Sequence, residues 1–233
     1  MWLPKFENLE LDSACELLCP DCPARLERTP LPLEKIRQRK INSLFVHLTG
    51  GNPLRHPQIN NILVELKKQK HFTLLTTCGY NLADFEKQIL LLLDCLLLYV
   101  PAFSRERATF QAGLNSVSQQ ESAIEYLQEL KKKFAVLYPI DSENIEDLPD
   151  LYNKLNKKNS FLILLYDQKT ALPLQRVEKK YLHYYAARRN AVVYEYAGNG
   201  SYNCLDFARH LTRLAPHNLW FFAKLFFKFY FQL

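Results

Sequence analysis

The sequence predicts an α/β protein in which six strand-helix units form a partial (β/α)6, TIM-like barrel with a short C-terminal extension. Three observations lead to this class. Short apolar runs alternate with amphipathic helical patterns over the first two thirds of the chain. The 233 residues, 48% of them hydrophobic, suit one compact domain of this type. Distinctive segments follow the first three apolar runs, where the loops of such a barrel carry functional residues.

Six apolar runs are predicted to be the strands. Each is separated from the next by a segment long enough for a helix, which favours parallel neighbours. The runs are residues 8–12, 44–48, 72–76, 96–100, 134–138 and 161–165.

The segments between the runs carry apolar residues at helical spacing, so each predicted helix has one face to lay on the sheet. Three stripes are clear. They are Ile59, Ile62, Leu63 and Leu66; Leu82, Phe85, Ile89 and Leu92; and Ile145, Leu148, Leu151 and Leu155. The active site of this arrangement is expected at the C-terminal ends of the strands.

The alternation stops near residue 167, which predicts a core over residues 1–167 and an extension over residues 168–233. The extension begins with a tyrosine-rich helical segment and continues with an apolar run at 191–196. Asn199 and Gly200 follow, and Asn-Gly supplies the positive φ that tight hairpins require. We therefore expect a helix, a hairpin and an aromatic amphipathic tail, packed on or beside the core.

Composition excludes several classes of protein. The formal charge of +6 is modest and evenly mixed, which argues against nucleic-acid binding. Residues 1–11 lack the features of a secretory signal, and the apolar run at 89–100 is too short to span a membrane. A cytoplasmic protein is predicted, in which six cysteines are better explained by metal binding or catalysis than by disulfides.

Three cysteines directly follow the first predicted strand, as Cys15, Cys19 and Cys22. Three thiolates on one loop can ligate three irons of a four-iron cluster and leave the fourth iron open to a small molecule. A structural zinc site ordinarily needs a fourth ligand, and no nearby Cys or His offers one. An iron-sulfur cluster is favoured, while zinc or another metal, or no metal, stays open.

Two more segments follow the second and third predicted strands. Glycines after the second strand let the backbone approach a ligand closely. The third strand ends in two threonines before Cys78, Gly79 and Tyr80. The candidate ligand-binding residues are Gly50, Gly51, Asn52, Pro53, Thr76 and Thr77.

These three motifs, in register with three strand ends, resemble those of the radical S-adenosylmethionine (SAM) superfamily. The resemblance covers roughly residues 8–167 and, within the superfamily, is closest to the glycyl-radical-enzyme activating enzymes and their relatives. It implies a 4Fe-4S cluster on the three cysteines, with the methionine end of SAM held by residues 50–53 near Thr76 and Thr77. It also implies an oxidoreductase that reductively cleaves SAM to a 5'-deoxyadenosyl radical, which takes hydrogen from a substrate. Reduced flavodoxin or ferredoxin is the implied electron donor, and no residue is identified as the substrate-specific catalyst.

Two residues depart from the family pattern. Asn52 stands where the family usually carries Glu, so the amino end of SAM loses a charged acceptor. Asp21 stands where an aromatic residue often precedes the last cysteine. These departures leave an alternative, in which the protein binds a cluster but serves as a non-catalytic accessory protein or scaffold.

Residues 219–233 form an aromatic tail with one narrow polar stripe of Lys224, Lys228 and Gln232. Such a helix must be covered by the protein's own core, by a protein partner or by a lipid interface. Peripheral membrane contact through this tail therefore stays open. Among the other cysteines, Cys95 is predicted to be a core residue, while Cys78 at a strand end either packs or contacts substrate or cofactor.

Overall fold

The structure is a computed structural model and describes residues 6–12, 14–15, 30–103, 116–155, 159–167, 173–187 and 191–196. Its centre is one parallel sheet of seven strands, ordered β1 to β7 as in the sequence. The six predicted strands are confirmed, each within three residues of its expected bounds. The strands are β1 (Phe6–Asp12), β2 (Phe45–Gly50), β3 (Phe72–Thr77), β4 (Cys95–Tyr99), β5 (Phe134–Pro139), β6 (Ser160–Asp167) and β7 (Ala191–Tyr196).

Among the described residues the sheet is open, with β1 and β7 as its edges. Every neighbouring pair is parallel, so the chain crosses between strands through helical segments. The predicted parallel α/β class is confirmed. Within the described ranges no strand pairing joins β1 to β7, which agrees with an incomplete barrel.

Helices follow most strands. Their bounds are α1 (Leu33–Gln38), α2 (Ile59–Lys68), α3 (Lys87–Leu92), α4 (Ser116–Glu129), α5 (Leu148–Lys154) and α6 (Arg176–Ala187). The predicted stripe on α2 is buried at all four positions, as is the stripe from Ile145 to Leu155.

The spacing of the stripe from Leu82 to Leu92 predicted a single helix, but the stripe is divided between two helical segments. A 3-10 turn over Leu82–Asp84 is separated from α3 by extended backbone at Phe85 and Glu86. Leu82 and Ile89 are nevertheless buried. The spacing therefore indicated the buried side of each of two short helices, because both helices pack on the same layer.

Each face of the sheet has its own apolar cluster. The larger cluster contains strand residues such as Leu48, Leu75 and Leu98 together with buried residues of the helices. The second contains Leu97, Leu137 and Ile163 among others on the opposite face, with Cys15 packed against it. Alternation along each strand produces this division, because successive side chains point to opposite faces.

The described part of the predicted extension contains the expected helix, α6, and then a strand. Residues 191–196 form this strand, β7, which pairs in parallel with β6 from Leu162 to Asp167. The second arm of the expected hairpin lies outside the described residues, so the hairpin stays a prediction. The turn at residues 199–200 and the aromatic tail lie outside the described residues. In the part of the chain that the structure describes, no helix is long and apolar enough to cross a membrane.

Candidate functional site

The three strands that precede the predicted motifs end side by side. Asp12, Gly50 and Thr77 each end one of three adjacent parallel strands, so their carboxyl ends lie side by side. In open α/β sheets this edge is where ligands bind.

Gly50 is required by its close approach to β1. Its φ is +129°, and a Cβ at this position would lie 2.1 Å from the backbone oxygen of Asp12. The next residue, Gly51, donates its N–H to the same oxygen at 2.7 Å. The glycine pair therefore lets the turn after β2 fold directly against the end of β1.

The segment that carries the predicted cluster ligands is anchored at both ends. Before it, Ala14 accepts a hydrogen bond from the backbone N–H of Asn52 at 2.7 Å. After it, the N–H of Leu31 donates to Leu11 of β1 at 2.7 Å, while Nε2 of His56 donates to the Leu31 carbonyl at 3.0 Å. The direction of the His56 bond follows from Gln58, whose N–H donates to Nδ1 of the same ring.

Asn52 and Thr77 are joined inside this edge. Both side chains are buried, and Oγ1 of Thr77 donates to Oδ1 of Asn52 at 3.3 Å. Oγ1 of Thr77 also accepts the N–H of Gly79 at 3.1 Å. Pro53 is buried too and opens the 3-10 turn Pro53–Arg55. The structure thus brings together four of the predicted ligand-binding positions, from Gly50 to Pro53, with Thr77.

Thr76 shares a hydrogen bond of 2.6 Å with Nε2 of His47 on the neighbouring strand. Both side chains are buried. Burial lowers the pKa of His47 to about 4, because the charged ring would lose its hydration. His47 is therefore neutral at physiological pH and holds Thr76 in place beneath the strand ends.

Among the predicted cluster ligands, only Cys15 lies within the described residues, where it is partly exposed and packs against the second apolar cluster. Cys19 and Cys22 lie outside them. The described residues contain no group of three His, Cys, Asp or Glu that could hold a metal ion. Cys15 starts the anchored segment at the strand ends, a position that fits a cluster beside the glycine pair.

Two other cysteines are buried away from solvent. Cys78 packs in the second cluster after the carboxyl end of β3. Cys95 begins β4 and therefore lies at the opposite, amino-terminal ends of the strands. Burial raises the pKa of the Cys95 thiol to about 12, so it stays protonated. The prediction that Cys95 is a core residue is confirmed.

Sequence reasoning missed Asp12. Its side chain is only 2% exposed, and its Oδ1 accepts the N–H of Ala14 at 3.1 Å. No local signal marks its burial, because a charged residue at the end of a strand is ordinarily exposed.

A second surface feature lies along α6. A shallow cavity of about 550 Å³ is lined by Leu174, Arg176, Lys179, Lys180 and His183. The four basic or ionisable side chains recur at helical spacing, so they form one stripe. Nζ of Lys179 lies 4.9 Å from the centre of the Tyr166 ring, and His183 contacts Glu195 at 2.8 Å.

No family model matches the chain, and no curated protein matches its sequence. Solved structures do. SuiB from Streptococcus suis bound to SAM has a TM-score of 0.67 at 19% identity over 84% of this chain and 51% of SuiB. The protein anSMEcpe with bound AdoMet gives a TM-score of 0.57 at 14% identity, over 82% of this chain and 61% of that protein. Methylornithine synthase PylB gives 0.51 at 15% identity, over 94% of this chain and 63% of that one.

An open parallel sheet with glycine and polar segments after its strands belongs to the α/β class, in which ligands bind outside the carboxyl ends of the strands. Within that class, this chain has the fold of the radical SAM enzymes, the family to which these three structures belong. The fold that the resemblance of the three motifs implies is therefore confirmed. The chain spans about half the length of SuiB.

Proposed function

We propose that this chain is a radical SAM enzyme that binds a 4Fe-4S cluster and SAM at the carboxyl edge of β1 to β3. One observation carries the proposal most directly. The backbone bond from Asn52 to Ala14 ties the glycine segment to the start of the cysteine segment. A cofactor can contact both a cluster and the glycine segment only if the cysteine segment, which would hold the cluster, lies next to the glycine segment.

The residues have separate parts in this proposal. Cys15, Cys19 and Cys22 would hold the cluster, and residues 50–53 would hold the methionine end of SAM with Thr76 and Thr77 nearby. When bound, the two cofactors would supply a 5'-deoxyadenosyl radical that takes hydrogen from the substrate. The protein's own task would be to orient the reactants and exclude water, which the burial of Asn52, Thr76 and Thr77 supports.

The open sheet would curl as a partial barrel, with the second apolar cluster on its inner side. This supports an enclosed site, because apolar side chains of β4, β5 and β6 would line it opposite the polar ends of β1 to β3. SuiB has been solved bound to the precursor peptide SuiA, with a TM-score of 0.65 to this chain, so a peptide is one substrate class to test first.

Reduced flavodoxin or ferredoxin would deliver the electron. The basic stripe of α6 supports this, since Arg176, Lys179 and Lys180 lie together on an accessible surface. The N-terminus of α6 follows the carboxyl end of β6, so the stripe begins on the same edge of the sheet as the proposed cofactor site.

A non-catalytic, cluster-binding accessory protein is the second candidate, favoured by Asn52 and Asp21 in place of the usual residues. Its aromatic tail at 219–233 would then contact a protein partner or a membrane. Titration calorimetry with SAM separates the candidates, because a scaffold need not bind SAM.

The deciding experiment is anaerobic reconstitution with iron and sulfide, followed by dithionite and SAM, with chromatography of 5'-deoxyadenosine. We expect product above a cluster-free control. Cys19→Ala should lose iron and product, while Cys95→Ala, which removes a buried thiol at the opposite edge, should keep both. A fully iron-loaded protein that forms no product would favour the accessory role. Full iron retention in Cys19→Ala would refute the ligand assignment.

A further inference from the structure

Exposed apolar side chains gather on one side of α6. Val177, Tyr181 and Tyr184 are 77%, 43% and 55% exposed, and their spacing of four and three residues places them in one stripe. The other exposed large apolar residues in the described part of the chain lie on separate segments, as Leu44, Val64 and Leu91. Single exposed residues are ordinary, but a contiguous patch marks a contact surface.

This stripe adjoins an aromatic row that reaches the core. The ring of Tyr181 lies 5.8 Å from that of Tyr185, which in turn lies 6.0 Å from the ring of Tyr152 on α5. Tyr185 is buried, while Tyr152 is only partly buried. We call Tyr152, Val177, Tyr181 and Tyr184 the tyrosine patch. Its contact with the core gives the patch a fixed shape to present to another element.

The charges beside the patch argue against contact with a second copy of this chain. Arg176, Lys180 and His183 are exposed on the same helix. The one acid of α6, Glu178, is partly buried and accepts the N–H of Gln175 at 2.6 Å. Two such helices facing each other would bring like charges together without an exposed acid on α6 to offset them, which is unfavourable.

Residues 219–233 are a segment of the same chain that needs an apolar cover. They lie outside the described residues, and on a helix their sequence places Phe222, Phe226 and Phe229 opposite the stripe of Lys224 and Lys228. Fifteen helical residues would extend about 22 Å, and the 12 residues of α6 extend about 18 Å. The aromatic side of this tail is therefore long enough to cover the patch while its lysines stay in water.

The connection between the two surfaces is long enough for them to meet. β7 ends at Tyr196, opposite Asp167, at the edge of the sheet from which α6 starts. The next 22 residues, 197–218, precede the tail, and a flexible chain of this length spans about 25 Å. Such a linkage gives an effective concentration on the order of 1 mM, which favours contact within the chain over a partner at micromolar concentration.

We propose that the tyrosine patch is the docking surface for residues 219–233 of the same chain. The aromatic side of the tail contacts the patch, so one contact covers two apolar surfaces. The basic stripe of α6 lies on a neighbouring side of the helix, where it lines the cavity and stays accessible. This contact goes beyond the proposed function and does not depend on SAM binding.

The test is the rate at which maleimide labels the thiol introduced by Val177→Cys in the full-length protein, with the labelled residue identified by peptide mass spectrometry. Adding Phe222→Asp/Phe226→Asp should release the tail, because it places two charges on the docking side. An effective concentration on the order of 1 mM keeps a contact with a Kd of about 0.1 mM closed roughly nine-tenths of the time, so release should speed labelling about tenfold.

Two matched controls accompany this comparison. Lys224→Asp/Lys228→Asp introduces the same two acids on the polar stripe of the tail, so labelling at residue 177 should stay slow. Val64→Cys places a thiol on an exposed position of α2, and it should label at one rate whichever tail is present.

Three results would overturn the proposal. Equal labelling at residue 177 with both tail variants would show that the tail does not cover the patch. Protection that increases with protein concentration would assign the cover to a second copy. Protection that requires vesicles containing phosphatidylserine would assign it to a membrane surface.

Crosslinking of the wild-type protein decides the question if the Phe222→Asp/Phe226→Asp variant does not fold. An amine-reactive crosslinker should join Lys180, which is exposed beside the patch, to Lys224 or Lys228. Lys68 is exposed on α2, which lies toward the other end of the sheet, and should not be joined to the tail. In a mixture of isotopically light and heavy protein, each link should connect residues of one chain. Links between light and heavy chains, or no link from Lys180 to the tail, would contradict docking within the chain.

Discussion

At the residue scale, Gly50 shows how one backbone position connects two motifs. Its φ of +129° is unfavourable for any residue with a Cβ, and the nearest obstacle is the backbone oxygen of Asp12. Backbone cannot rotate aside as a side chain can, so the turn after β2 depends on the absence of a side chain here.

Gly50→Ala is accordingly expected to lower the free energy of unfolding by at least about 3 kcal/mol, from the strained φ and the overlap with β1. Urea unfolding measures it. Gly79→Ala is the matched comparison, because its φ is also positive, at +74°, but its Cβ would meet the side chains of Leu98 and Ala123. We expect a smaller loss there. An equal or smaller loss at Gly50 would contradict the close approach of β1 and β2.

His47 makes stability depend on pH in a direction that its burial determines. Its pKa in the folded protein is about 4, below the ordinary 6.5, so the unfolded chain binds the proton more readily between these values. Stability from this residue is complete above about pH 6.5 and is lost as the pH falls toward 4. The loss at pH 5 amounts to roughly 2 kcal/mol.

Urea midpoints at pH 7 and pH 5 test this for wild type and His47→Gln, which cannot titrate. The wild type should lose about 2 kcal/mol more than the variant between the two values. The same loss in both proteins would assign the acid sensitivity to other groups.

At the element scale, α6 divides its surface into distinct stripes. Leu182, Tyr185 and Ala186 are buried, and the Tyr185 hydroxyl donates to the carbonyl of Leu148 at 2.9 Å. The basic stripe beginning at Arg176 faces the cavity. A helix that is anchored on one side and charged on another can present a fixed surface to a partner.

If this stripe receives an acidic electron donor, Arg176→Glu/Lys180→Glu should slow reduction of the cluster by reduced flavodoxin roughly tenfold at low ionic strength. Reduction by dithionite should not change, and the difference should shrink with added salt. Lys68→Glu/Lys87→Glu changes the net charge equally on exposed residues of α2 and α3 and serves as the control. Equal slowing by both double variants would indicate a net-charge effect without a specific docking face.

Sequence-based prediction was most successful for the strands, and it was wrong for one of the helices. Strands buried on both faces, such as β4 and β6, appear in the sequence as apolar runs, while β1 alternates buried leucines with more exposed polar residues. The segment from Leu82 to Leu92 misled, because spacing cannot detect the extended residues that separate two short helices. The strand-end motifs indicated a candidate site, but the contact of Gly50 with Asp12 depends on the register of β1 with β2, a tertiary property that the local sequence does not encode.

At the scale of the whole molecule, the predicted division of the chain at residue 167 can be tested by truncation. β6 is buried along its whole length, and β7 pairs with it over six positions. Removing residues 168–233 would expose this strand edge together with the apolar side of the sheet beneath α6. A newly exposed edge is also a site for aggregation.

The cost can be estimated from the side chains that would lose their cover. Leu182, Tyr185, Ala186 and Ala191 belong to the main core, and burial of a large apolar side chain stabilises by about 1.5–3 kcal/mol. With the strand pairing, the total is on the order of the entire stability of a domain. We expect a chain ending at Asp167 to be insoluble or unfolded, as judged by circular dichroism and gel filtration.

Removal of residues 219–233 alone is the contrasting truncation, since it leaves α6 and β7 in place. If the aromatic tail contacts a membrane, this shorter truncation should abolish binding to liposomes while iron loading persists. A folded, iron-loaded chain ending at Asp167 would instead show that α6 and β7 are dispensable to the core.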